Sequence, residues 1–178
     1  MKYIIYSFLK SVILSGVLFS SGQMHIVNNK YPEIQNIYIN LLKHTGYTSK
    51  MVPLYIIESD VKNAEATPIG IFLFTGMIDL VKDDPDKIAL ILGHEMGHVY
   101  LGHIYIQRRL SMIESQEIEA QADKMGAFFM LRSGYNICKG REWLKDFNNI
   151  YGDMGFEDHP DNAYRYSQLN IGCTKDDF

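Results

Sequence analysis

Apolar residues recur every three or four positions along most of the chain, a pattern that predicts a largely helical protein. The first such segment covers residues 31–45, with Pro32 in its first turn and Gly46 behind it as a stop signal. Asp84 as N-cap and Pro85 at the first helical position start the longest helix, which is expected to run to about Leu110. Further helices are expected over residues 76–82, 115–133, 137–150 and 160–169.

Two short segments, residues 52–57 and 69–74, are instead rich in β-branched and aromatic residues, which is typical of strands. The polar residues 58–68 between them read as a turn segment. The two strands are therefore expected to form a hairpin or a small antiparallel sheet. Together with the helices this predicts an α+β fold, mostly helical, with a small antiparallel β-sheet.

The N-terminus has a different pattern. Lys2 and Lys10 precede an uncharged apolar stretch over residues 11–19, which ends in Ser20-Ser21-Gly22. This order is typical of a secretory signal peptide cleaved near Gly22, and an uncleaved N-terminal anchor is the alternative. Residues 1–22 are therefore assigned to the signal peptide (or anchor) and residues 23–178 to a single domain. The expected location is extracytoplasmic, periplasmic or membrane-associated, with peripheral membrane association through the N-terminus.

Composition narrows the class of protein only slightly. A chain of 178 residues with 47% hydrophobic content can build one real core, and a net charge of −4 argues against a nucleic-acid partner. Cys138 and Cys173 are the two cysteines of the chain. In an exported protein they can form one disulfide, but two buried thiols fit the sequence equally well.

The chemistry lies inside the longest predicted helix, in the HExxH sequence from His94 to His98. Two histidines four residues apart share one helix face, so both imidazoles can reach one metal ion. Glu95 stands next to the first of them, where a general base can take a proton from metal-activated water. Gly93 and Gly97 flank the histidines, and two glycines in a helix interior indicate close approach of another element.

A catalytic metal site needs a third protein ligand. His103 is expected to lie too far along the same helix from His94, so a structural or pocket-edge role is preferred for it. Glu119 and Asp123 are four residues apart on the next helix, so both carboxylates face one side. One of them can bind the metal while the other orients a histidine.

Glu117 competes with this pair, but its partner four residues on is Gln121 rather than a second carboxylate. Ala122 and Gly126 lie near the face of the carboxylate pair and allow that helix to approach the glycines of the first.

These motifs resemble the CAAX prenyl-protease type of zinc metallopeptidases, gluzincins that include HtpX and BepA-like proteins. The resemblance spans roughly residues 51–169. It is carried by Phe74-Thr75-Gly76, by residues 92–98, by the pentad from Glu119 to Asp123, and by His159-Pro160 followed by Arg165. It implies a zincin-like fold, with Glu119 as the third zinc ligand and Asp123 orienting a histidine. It also implies that His159 and Arg165 face the active site and help to hold the substrate carbonyl.

The sequence thus predicts a zinc-dependent endopeptidase with one Zn²⁺ per chain, held by His94, His98 and Glu119. Glu95 is the expected general base. The expected substrates are exported or envelope proteins, and the strand over residues 69–74 is expected to pair with an extended segment of the substrate polypeptide. No membrane span is predicted after residue 22, so the chain resembles a minimal catalytic module. The alternative is a chaperone-like or binding module for protein quality control, with a silent or regulated zinc site. Three ligands rather than four favour catalysis.

Overall fold

The structure, a computed structural model, describes residues 24–106, 108, 110–151, 162–171 and 173. The expected signal peptide and His159 lie outside these residues. The α-helices and strands that the described residues form are, in chain order, α1 (Pro32–Leu42), β1 (Leu54–Ile57), β2 (Ala64–Thr67), β3 (Gly70–Phe74), α2 (Thr75–Val81), α3 (Pro85–Tyr100), α4 (Met112–Arg132), α5 (Ile137–Gly140), α6 (Trp143–Tyr151) and α7 (Asn162–Gln168). None of the helices in this part of the chain is long and apolar enough to cross a membrane.

Helices dominate and the sheet is small, so the predicted α+β class is confirmed, but the sheet is mixed rather than antiparallel. Its strand order is β1-β3-β2. Strand β3 runs parallel to β1 and antiparallel to β2. Strand β2 falls within residues 58–68, which were expected to be only a turn. Its sequence Ala-Glu-Ala-Thr has little intrinsic strand preference, so pairing with β3 decides its conformation.

Helix α3 begins as predicted and ends ten residues early. The Asp84 side chain accepts hydrogen bonds from the backbone N–H groups of Asp86 and Lys87, at 3.0 and 3.1 Å, and Pro85 opens the helix. The expected extension to Leu110 is wrong, because Gly102 adopts a left-handed conformation (φ 75°) and stops the helix. A 3₁₀ turn over His103–Tyr105 follows and changes the chain direction.

Helices α3 and α4 are in close backbone contact, as the small residues predicted. A Cβ atom added to Gly97 would lie 2.7 Å from the Ala122 carbonyl oxygen. A Cβ atom added to Gly126 would lie 2.6 Å from the His94 nitrogen. Neither distance is compatible with a side chain, so glycine at these positions is required for the two helices to touch.

The hydrophobic core collects around α3, whose side chains are buried along most of its length. Helix α1 contributes Ile34, Tyr38 and Leu41 to this core, and β1 and β3 contribute one face of the sheet. The fully buried Tyr38 satisfies its hydroxyl by donating a 2.6 Å hydrogen bond to the Val52 carbonyl. Burial of a polar tyrosine therefore leaves no unmet hydrogen bond there.

The C-terminal part folds back onto the core. The helix expected over residues 137–150 is divided into α5 and α6 by a turn at 141–142. Cys138 of α5 forms a disulfide with Cys173, beyond α7, which decides between the two alternatives that the sequence left open. The covalent bond joins the chain after α7 to the centre of the fold.

Candidate active site

Two histidines on successive turns of α3 form the centre of the site. His94 is almost completely buried and His98 is partly buried. Their Nε2 atoms lie 3.1 Å apart, as expected for side chains at positions i and i+4 on one helix face. Both rings therefore point at the same place.

Helix α4 brings a carboxylate to the same place. Glu119 Oε2 lies 3.1 Å from His94 Nε2, and its Oε1 lies 3.4 Å from His98 Nε2. The ligand atoms of His94, His98 and Glu119 all lie within 4.8 Å of one another, so the three can hold one metal ion. Tetrahedral zinc with ligand bonds of ~2.0–2.1 Å would place its ligand atoms roughly 3.3 Å apart, which fits these distances.

The hydrogen bonds of His94 show why this place favours a cation. His94 Nδ1 lies 2.8 Å from Asp123 Oδ1, and a carboxylate can only accept, so Nδ1 carries a proton and Nε2 is left to bind a second proton or a metal ion. Nε2 faces the Glu119 carboxylate. Burial by itself disfavours a charged ring, but the carboxylates of Asp123 and Glu119 outweigh it and raise the pKa of His94 to about 10. The cluster thus attracts positive charge, as a proton or as a metal ion.

Asp123 is in turn held by Arg165 of α7. Arg165 donates hydrogen bonds from Nε and Nη2 to the two carboxylate oxygens, at 2.8 and 2.7 Å. Burial alone would raise the pKa of Asp123, but Arg165 and His94 outweigh it and hold that pKa well below its usual range. Asp123 therefore stays ionised in a buried position and fixes the orientation of the His94 ring.

A cleft of about 300 Å³ opens beside the three candidate ligands. Glu95 lines it together with His94 and His98, and the opposite lining includes residues 63–66, which contain most of β2. A second, smaller cavity shares His94 and Glu95 and extends toward Trp143. Glu95 thus lines both the cleft beside the candidate metal ligands and the smaller cavity, where a general base needs to be.

The family of the chain follows from its sequence. Residues 28–117, half of the chain, match peptidase family M48. The chain belongs to peptidase family M48. This confirms the resemblance to prenyl-protease type metallopeptidases that the motifs indicated.

A partial match to a named relative accompanies the family match. A segment of 50 residues in this chain is 42% identical to a zebrafish (Danio rerio) protein, "Metalloendopeptidase OMA1, mitochondrial". The aligned segment is 28% of this chain and 10% of that protein. The chain therefore spans only a small part of the relative it matches.

The family match stops two residues before Glu119. The assignment of Glu119 as the third candidate ligand therefore depends on the fold of this M48 chain and not on the family match. The structure brings Glu119 to the histidine pair and places Asp123 against His94, as the sequence and the resemblance predicted. Glu117, the rejected competitor, is exposed and does not join the candidate ligand cluster.

His103 lies closer to the site of the M48 domain than the sequence indicated. The expectation that it continues along the helix of His94 is wrong, because α3 ends before Gly102. The 3₁₀ turn after Gly102 directs the His103 ring back, and its Nδ1 lies 3.1 Å from His98 Nδ1. Partial burial, and then the neighbouring His98, lower the pKa of His103 below its ordinary value. Glycine at position 102, a residue type that often ends helices, was the signal in the sequence that could have predicted that His103 turns back toward His98.

The strand expected to pair with substrate also changes. Strand β3 is hydrogen-bonded to β1 on one side and to β2 on the other, so no substrate can add to it. Within the described residues β2 is the strand at the sheet edge beside the cleft. In the mixed sheet, β2 lies between β3 and the site.

Arg165 reaches the site of the M48 domain, but its observed hydrogen bonds go to Asp123. Its Nη2 also lies 3.3 Å from His94 Nδ1, because both groups donate to the same carboxylate. Its expected contact with a substrate carbonyl stays a prediction. His159, expected to share that role, lies outside the described residues, and its role likewise stays a prediction.

Proposed function

We propose that this M48 family member is a zinc-dependent endopeptidase that hydrolyses peptide bonds of exported or envelope proteins. The observation that carries the proposal is the convergence of His94, His98 and Glu119 within 4.8 Å, beside a cleft lined by Glu95. Two imidazoles and one carboxylate are a common ligand set of catalytic zinc, which keeps an open position for water or substrate. One Zn²⁺ per chain is expected.

Each of the three ligands has a defined part in holding the ion. His94 and His98 offer neutral Nε2 atoms and Glu119 offers a carboxylate, so the ligand set carries a single negative charge. When bound, zinc makes water acidic near neutral pH and polarises a substrate carbonyl. The protein contributes the position of the ligands and the dry environment of the buried His94.

Glu95 is proposed to move the proton. Its carboxylate accepts the proton that the attacking water loses and later delivers it to the nitrogen of the leaving amine. The cavities that share Glu95 allow the same carboxylate to face both the water and the leaving group. His159 and Arg165 are proposed to stabilise the negative charge that develops on the carbonyl oxygen.

The substrate is proposed to be an extended polypeptide that adds to the edge of β2. An edge strand presents unpaired backbone groups that bind a peptide by main-chain hydrogen bonds. The small side chains of Ala64 and Ala66 on this strand leave space at the wall of the cleft. A chain with a net charge of −4 is poorly suited to bind nucleic acid instead.

An extracytoplasmic location is part of the proposal. The Cys138–Cys173 disulfide supports an oxidising compartment, since such bonds are rare where thiols are kept reduced. Residues 1–22 are proposed to direct export, with peripheral membrane association where they are retained. N-terminal sequencing of the protein recovered from its own cells tests this: a start near residue 23 is expected, and a cytoplasmic protein that keeps Met1 would contradict it.

The Glu95→Gln variant tests the enzymatic part of the proposal. We expect the variant to bind one zinc ion per chain, as measured by metal analysis, and to lose at least about 10²-fold in the rate of peptide hydrolysis, because the general base is removed. A peptide library and unfolded casein serve as substrates, with wild-type protein as reference. Undiminished hydrolysis by the variant would overturn the proposal. Zinc binding with no cleavage by wild type would favour the chaperone-like module.

A further inference from the structure

A chain of polar contacts leads away from the candidate ligand His98. His98 Nδ1 lies 3.1 Å from His103 Nδ1, and His103 Nε2 lies 3.3 Å from Gln121 Oε1. Gln121 Nε2 donates a 3.1 Å hydrogen bond to Glu117 Oε1. The four residues come from α3, from the turn after Gly102 and from α4, so the fold rather than local sequence assembles them.

The Glu117 carboxylate, at the end of this series of contacts, determines the direction of every hydrogen bond in the series. The Glu117 carboxylate only accepts, so Gln121 turns its NH₂ group toward it and its carbonyl oxygen toward His103. A carbonyl oxygen also only accepts, so the proton of the neutral His103 ring is on Nε2 and its Nδ1 accepts. His98 must then donate from Nδ1, which leaves a lone pair on its Nε2.

That lone pair points to the metal position. His98 Nε2 is the atom that faces His94 Nε2 and Glu119, and only its unprotonated form can bind a metal ion. Asp123 provides the equivalent constraint for His94 on the other side of the site. Each histidine of the pair thus has its own partner at Nδ1.

We propose that His103 is a positioning residue that holds His98 in the orientation and tautomer needed to bind metal, and that Gln121 and Glu117 set the orientation of His103. The inference rests on the proposed zinc centre. Glu117 and Gln121 are one helical turn apart, two residues before and two residues after Glu119. Neither is a candidate metal ligand, and the inference gives both a role in orienting His103. The turn at Gly102 then has a function, because it returns His103 to the site.

Zinc affinity of the purified, initially zinc-free protein tests the inference, measured by competition with a chromophoric chelator. His103→Ala is expected to bind zinc about tenfold to a hundredfold more weakly, as is usual when the hydrogen-bond partner of a ligand histidine is removed. His103→Asn keeps an amide oxygen near the position of Nδ1 and is expected to stay close to wild type. Gln121→Ala is expected to weaken binding in the same direction as His103→Ala.

Tyr105→Ala is the matched control, since Tyr105 belongs to the same turn and is 66% exposed. Its zinc affinity is expected to equal that of wild type, and an equal loss in Tyr105→Ala would overturn the inference, because the turn rather than the ring would then matter. Unchanged affinity in His103→Ala, or equal losses in His103→Ala and His103→Asn, would also overturn it. Thermal unfolding of the zinc-free forms shows whether each variant folds. If His103→Ala does not fold, unchanged zinc affinity in Gln121→Ala would overturn the inference.

Failure of the inference is separable from failure of the proposed function. Wild-type protein that binds no zinc would remove both. Wild-type protein that binds zinc with an affinity equal to that of His103→Ala would remove only the positioning role.

Discussion

Asp123 is the residue on which the buried side of the site depends. Its carboxylate contacts His94 and Arg165, and all three side chains are at least nine-tenths buried. Burying a guanidinium and a carboxylate together costs desolvation energy, which only good geometry and full pairing offset. The bidentate contact with Arg165 meets this condition. It also orients the carboxylate so that Oδ1 accepts a hydrogen bond from His94 Nδ1.

The Asp123→Asn variant is therefore expected to lose both metal affinity and stability. The uncharged amide no longer neutralises Arg165, and an unpaired buried charge costs about 3–5 kcal/mol in the free energy of unfolding. Zinc affinity is expected to fall about tenfold to a hundredfold. Urea unfolding and chelator competition measure the two effects. The exposed Asp79→Asn serves as control, and equal behaviour of the two variants would contradict the prediction.

Glu65 on β2 is expected to make stability depend on pH. Burial, and then repulsion by Glu95, raise the pKa of Glu65 to about 7. Because a glutamate in the unfolded chain has a pKa near ~4.3, the folded state binds more protons between these values, so its stability falls as pH rises. In the zinc-free protein, Glu65→Gln is expected to gain stability relative to wild type as pH rises toward about 7. Parallel stability profiles from pH 4 to pH 8 would contradict this.

At the scale of elements, the contact between α3 and α4 brings the candidate metal ligands together. The candidate ligand His94 is on one helix and Glu119 on the other, so the distance between the two helix axes sets the distance between their ligand atoms. The glycine and alanine contacts at Gly97–Ala122 and Gly93–Gly126 make this distance short. A larger side chain at any of these positions separates the helices.

The Gly97→Ala variant tests this dependence. The added Cβ meets the Ala122 carbonyl, a backbone atom that cannot rotate away, so the helices must move apart. The expected cost is about 1–3 kcal/mol in the free energy of unfolding, together with weaker zinc binding. Lys124→Ala, exposed on the outer face of α4, is expected to change neither. Full zinc affinity in Gly97→Ala would show that the close approach is unnecessary.

At the scale of the whole molecule, the disulfide connects the last helix to the core. Cys138 is on α5 and Cys173 follows α7, which carries Arg165. The bond closes a loop across a sequence separation of 35 residues and so restricts the unfolded chain. It also limits how far Arg165 can move from Asp123.

Reduction of this disulfide is expected to lower the free energy of unfolding by about 2–4 kcal/mol. Urea unfolding of the zinc-free protein with and without dithiothreitol measures the effect. The double variant Cys138→Ser/Cys173→Ser is the control and is expected to be insensitive to the reductant. Coincident unfolding curves for the oxidised and reduced wild type would contradict the prediction.

Local signals in the sequence predicted the elements well where one residue type decides the geometry. Asp84 and Pro85 fixed the start of α3, and Gly46 and Gly134 follow the ends of α1 and α4 in left-handed conformations. The early end of α3 at Gly102 was missed because the apolar periodicity continues beyond it. Strand β2 was missed because its residues favour no strand and only β3 supplies the partner.

The amino-acid sequence by itself determined the histidine pair, the glutamate between them that is proposed as general base, and the small residues on each of the two helices, because helical periodicity sets which side chains of one helix share a face. The tertiary structure decided which strand borders the cleft, that His103 returns to His98, and that Arg165 reaches Asp123. The reason is physical: Arg165 and Asp123 are far apart in the chain, the place of β2 depends on how the elements pack, and His103 returns to His98 only because α3 ends before it.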